Sequence, residues 1–157
     1  MTIGWFIFNA CAVMFSNYEY GKGFGKAFDN VKDTPQYAVV TSILAGSFST
    51  LVTYLCYNWF PLEKGRTTDL CLTVVNASRA GVVMVTGVCD EVNLYAACII
   101  GIQSGLLYLK IRQIFDRNNI DDPMQSAQIH GICGFFGLLN VSIFGADRGL
   151  ISILEWD

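Results

Sequence analysis

The stretch Asp121-Asp122-Pro123-Met124-Gln125-Ser126-Ala127-Gln128-Ile129-His130-Gly131-Ile132-Cys133-Gly134-Phe135-Phe136-Gly137 decides how the rest of the chain is read. It sets the only histidine inside an apolar, glycine-studded segment that, with the residues after it, is long enough to cross a bilayer. An ionisable side chain at such depth is costly, so it usually faces a cavity, a water-filled path or a paired group. The two acids ahead of it suit a helix N-terminus, where the backbone dipole favours negative charge. Asp121 and Asp122 are therefore expected to cap the helix that carries His130.

The remaining sequence suits a membrane. Hydrophobic residues make up 53% of the 157, and charged residues only 15%. Mean hydropathy is +0.43, and a soluble domain of this length would carry more charge. The apolar residues fall in runs parted by short polar stretches, which predicts an all-α polytopic bundle of about five transmembrane helices in a single domain over 1–157. The spans are expected near 2–16, 37–60, 69–88, 92–109 and 123–144. The first is short for a full crossing. Tyr54, Tyr57, Trp59 and Phe60 suit the headgroup level, and Pro61 stops the second span.

Several function classes drop out. A net charge of −3 without a basic cluster argues against nucleic acid. The N-terminal residues lack the basic start and small-residue cleavage site of a signal peptide. The six cysteines, Cys11, Cys56, Cys71, Cys89, Cys98 and Cys133, form no CxxC pair and read as small packing residues. With one histidine there is no His/Cys cluster, so neither a metal nor another cofactor is expected.

Orientation follows from the loops. Lys64, Arg66, Lys110, Arg112 and Arg117 follow spans two and four, against Lys22, Lys26, Lys32 and Arg148 on the opposite side. The two short basic loops are expected to face inward. The membrane itself, plasma membrane or mitochondrial inner membrane, is left open. Small residues recur at helix-packing spacing, as in Ala45/Ser49, Ala77/Gly81, Gly101/Gly105 and Cys133/Gly137. They predict close backbone approach between helices.

The segment 121–137 resembles the ammonium transporters (Amt/Mep/Rh). In that family an acidic pair begins a membrane helix and a His-Gly-x-x-Gly follows about two turns later. Gly4-Trp5-Phe6-Ile7-Phe8-Asn9-Ala10 is similar to the family's Gly-Trp-Phe-Gly-Phe-Asn stretch. Asn76 to Thr86 and Ala97 to Gly105 resemble two further spans, in the family's order. The resemblance implies a transport role without covalent chemistry, hence not an enzyme. By it, His130 is a pore histidine, and Phe8 and Trp5 stand at the outer mouth, where ring faces attract ammonium-like cations.

What the resemblance covers also matters. Family members have about eleven spans, built from two inverted five-helix repeats and a final helix, and this chain resembles the second repeat alone. The resemblance thus implies half of a channel for ammonium or ammonia, with the partner histidine supplied by another chain. Two positions depart from the pattern. Ala12 stands where the family places a hydroxyl, and Arg79 replaces an apolar residue within the third span, where an arginine needs a partner or water. Those departures favour an alternative: a non-conducting, degenerate half-transporter acting as an accessory subunit of a larger membrane complex, respiratory or otherwise organellar. The partners expected are membrane lipids, further membrane chains (in a homo-oligomer or a hetero-complex) and, on the first reading, ammonium or ammonia.

Overall fold

In lipid the backbone must satisfy its own hydrogen bonds, so apolar runs of about 20 residues become helices. The computed structural model describes residues 2–19, 34–59, 67–145 and 149–150. Five α-helices follow in order: α1 (Thr2–Glu19), α2 (Pro35–Cys56), α3 (Thr67–Val85), α4 (Leu94–Arg117) and α5 (Cys133–Phe144). A π-helical segment, Ala127–Ile132, leads directly into α5. No strand occurs among the described residues. Pro35–Cys56, Leu70–Val88, Leu94–Arg117 and Ala127–Phe144 are long and apolar enough to cross a membrane, while the apolar part of α1, Ile3–Phe15, is shorter. The chain is an integral membrane helix bundle.

Local chemistry sets the ends. Thr34 caps α2 by accepting the Tyr37 N–H at 3.2 Å, and Pro35 takes the first helical position, where no N–H is needed. The helix ends at Cys56, and one 3₁₀ turn, Tyr57–Trp59, follows. α4 runs on to Arg117, past the boundary near 109 that its polarity suggests. Lys110 and Arg112 mark where the apolar run ends, not where the helix does. Arg112 stays only 7% exposed because it donates to Thr73 on α3. Residues 119–125 form turns, with Asn119 and Gln125 at positive φ. Most of the loop expected over 17–36, the basic stretch with Lys64 and Arg66, and most of the tail after 145 lie outside the described residues.

α2 is the centre of the bundle, packed against α3 and α4. The approach is backbone to backbone. A Cβ on Gly81 or on Gly101 would stand 2.5 Å from the Ala45 carbonyl oxygen, and one on Gly105 would stand 2.7 Å from that of Ser49. Ser49 donates across the same seam to the Ala77 carbonyl at 2.6 Å. The turn between α3 and α4 is tied to α2 by Thr41 Oγ1 donating to the Cys89 carbonyl at 2.7 Å and Tyr37 OH donating to the Val92 carbonyl at 2.8 Å. α1 lies on α2 and α3, and α5 on α3, which leaves one flank between them.

Candidate functional site

On that flank α1, α3 and α5 enclose a groove of about 270 Å³, lined by Trp5, Phe8, Val83, Thr86, Gly87, Gly134, Gly137 and Leu138. Its shape follows from the small residues of α5. Gly137 brings α5 close to α3, because a Cβ there would meet the Met84 carbonyl oxygen at 3.0 Å. Gly134, one turn earlier, leaves open space: a Cβ would touch only Val83, at 3.9 Å. The helices therefore meet at one level and part at the next.

The aromatic wall comes from α1. Trp5 and Phe8, one turn apart, meet edge to face with ring centroids 5.2 Å apart. Trp5 packs against the buried cluster that includes Ala77, Val83, Tyr108, Ile129 and Cys133. The imidazole of His130 stacks on the same indole, with centroids 5.3 Å apart and planes at 25°. The structure thus brings together Trp5, Phe8 and His130. His130 is exposed on the flank of the chain and is not enclosed by its helices, and Phe8 is 54% exposed.

A polar network lies beneath. Of the acidic pair, Asp122 carries the cap: its carboxylate accepts the N–H groups of Ser126 (3.0 Å), Ala127 (3.0 Å) and Gln128 (3.4 Å). Asp121 is exposed. Gln125 Oε1 accepts from Asn76 Nδ2 on α3 at 2.5 Å and from the Tyr108 hydroxyl on α4. Arg79 donates to Asn76 Oδ1, so the arginine joins the same network. It stands one turn before Val83 on α3 and is not among the residues lining the groove. Ala12 lies one turn beyond Phe8, exposed, and brings no oxygen to the flank.

Sequence reading singled out Trp5, Phe8, His130, Arg79 and the two acids. It passed over Tyr108 and Gln125, although polar residues at the ends of apolar runs are a signal for such networks. The arrangement offers aromatic faces to a cation and one imidazole that can donate and accept a hydrogen bond. Among the described residues no three His, Cys, Asp or Glu side chains gather as metal ligands would.

A family model described as Ammonium Transporter Family matches residues 1–153. The chain is similar to Ammonium transporter 1 member 1 of Arabidopsis thaliana, 32% identical over 119 residues, which are 73% of this chain and 22% of that protein. It is similar to Ammonium transporter 1 member 4 of the same plant, 27% identical over 156 residues, 98% of this chain and 30% of that one. Ammonium transporter 1 member 1 of Oryza sativa subsp. japonica is 29% identical over 149 residues, 92% of this chain and 28% of that protein. The chain thus spans less than a third of the length of these relatives. No solved structure gives a significant match.

Proposed function

The chain belongs to the ammonium transporter family, and on that premise we propose that it supplies one wall of a path for ammonium or ammonia, the facing wall coming from polypeptide beyond the described residues. One observation carries this reading: an imidazole stacked on an indole faces outward from a membrane helix bundle. Hydrocarbon is a poor neighbour for an imidazole that must still satisfy a donor and an acceptor. A facing protein surface, with water or substrate between, satisfies both. The groove beside it gives the path its aromatic side, where Trp5 and Phe8 present ring surface to a cation shedding water. Passage needs no bond made or broken.

The experiment is uptake of labelled methylammonium by vesicles holding the assembly purified with this chain. Uptake is expected in wild type and absent in His130→Ala. Undiminished uptake in that variant removes His130 from the path.

A second reading rests on Arg79 and Ala12. A guanidinium one turn from the groove-lining Val83 opposes a cation passing near it, by about 4 kcal/mol at a separation of 4 Å and an effective dielectric near 20. Ala12 offers no oxygen to receive one. On this reading the chain is a non-conducting accessory subunit. Purification from the native membrane distinguishes the two: unrelated membrane subunits co-purifying without uptake support the accessory role, and a matching transporter half excludes it.

A further inference from the structure

His130 sits in a six-residue π segment, and the turn ahead of it holds Gln125 at φ 52°, in the left-handed region that residues other than glycine seldom enter. Both features are uncommon and persist where surrounding bonds impose them. Those bonds are identifiable here. Gln125 N–H donates to the Asp122 carbonyl at 2.9 Å, and the Gln125 carbonyl accepts from Ile129 N–H at 2.9 Å. Its side-chain oxygen accepts from Asn76 and from Tyr108. One amide therefore joins α3, α4 and the start of the π segment.

His130 directly follows Ile129, the residue whose N–H the Gln125 carbonyl holds, and lies inside the π segment. The far end of the same element is fixed independently, by Gly137 against the Met84 backbone. The intervening residues are held between these two fixed points. Among them Gln128 and Ile129 turn inward while His130 and Gly131 turn outward. The geometry points to Gln125 as the positioning residue for His130: clamped by Asn76 and Tyr108, its amide sets the register of the π turn and so lays the imidazole on Trp5. Asp122 assists by holding three N–H groups of the first turn. This goes beyond the transport reading, since it holds whether or not anything passes the groove.

The test uses the single histidine. Selective carbon-13 labelling of histidine in the solubilised full chain gives one ring signal, displaced by the ring current of the stacked indole. Trp5→Leu defines its unstacked position. Gln125→Leu and Tyr108→Phe are each expected to carry the signal about half of the way there or further, as removal of one member of a coupled network does. In the Trp5→Leu background, Gln125→Leu then adds no displacement. Gln125→Glu, whose carboxylate still accepts both bonds, is expected to keep the wild-type position. Thermal unfolding of the same samples identifies any variant that fails to fold, and Tyr108→Phe leaves the left-handed residue untouched. A wild-type signal in both Gln125→Leu and Tyr108→Phe overturns the assignment. So does a wild-type signal in Gln125→Asn, which tolerates the backbone conformation but is one methylene too short for the clamp. None of these readings depends on transport, so absent uptake and a failed clamp are separate results.

Discussion

The seam where α2 meets α3 and α4 and the flank where α1 meets the π segment and α5 draw on different residues and do opposite things. At the seam, glycine, alanine and serine let backbones touch, and hydroxyls of Ser49 and Thr41 donate to carbonyls of α3 and of the turn after it. On the flank, phenylalanine, leucine and histidine stand out from the bundle beside a half-buried tryptophan, and a glycine leaves a gap that nothing in the described chain fills. Lipid gives helices little apolar drive to associate, so close packing and internal hydrogen bonds must hold the seam. The flank is packed closely at Gly137, and beside that contact it presents exposed aromatic and apolar side chains. Small residues let the helices meet at the seam, while large exposed ones line the flank.

Matched glycine substitutions break that contrast most directly. Gly81→Val is expected to cost about 1–3 kcal/mol or more, since a side chain there meets the Ala45 backbone. Gly134→Val, in open space, is expected to change stability by less than about 0.5 kcal/mol. Unfolding in detergent measures both, and equal losses would erase the distinction.

Asp122→Ala should come next, at about 0.5–2 kcal/mol, the usual range for a lost helix cap. Its loss is expected to be accompanied by earlier amide exchange in Ala127–Ile132, leaving α2 protected. Ser49→Ala removes the donor to the Ala77 carbonyl and is expected to cost about 1 kcal/mol, with its effect confined to the seam.

The smallest effect concerns Cys89, in the turn tied to α2. Burial, and then the charges of Asp90 and Glu91, push its thiol from 9.0 up to about 12. The native state therefore favours the protonated form. The stability this gives is complete below pH 9.0 and is lost as pH rises toward about 12, because the unfolded thiol ionises first. Cys89 is expected to resist maleimide at pH 9 in the folded protein, and rapid labelling there would show that the turn is open.

Much of the seam could be read in the sequence. Apolar runs gave helices, and the pairs Ala45/Ser49, Ala77/Gly81 and Gly101/Gly105 named residues that do meet across it. The end of α4 could not, because a falling hydropathy marks the membrane boundary while Arg112 is carried inward by Thr73. The flank was legible only in part. Trp5, Phe8 and His130 stood out through a family resemblance, but no local pattern predicts that one indole carries both other rings. The π segment and left-handed Gln125 were not legible either. They depend on hydrogen bonds from Asn76 and Tyr108, which lie 49 and 17 residues away.

On the proposed reading the Trp5–Phe8–His130 flank is covered by protein while the outer face of α2 meets lipid. A photoactivatable crosslinker placed at Phe8 or Leu138, and in parallel at Val40 or Leu55, tests it in the native membrane. The expected result is polypeptide adducts from the first pair and lipid adducts from the second. Lipid adducts alone from Phe8 and Leu138 would contradict it.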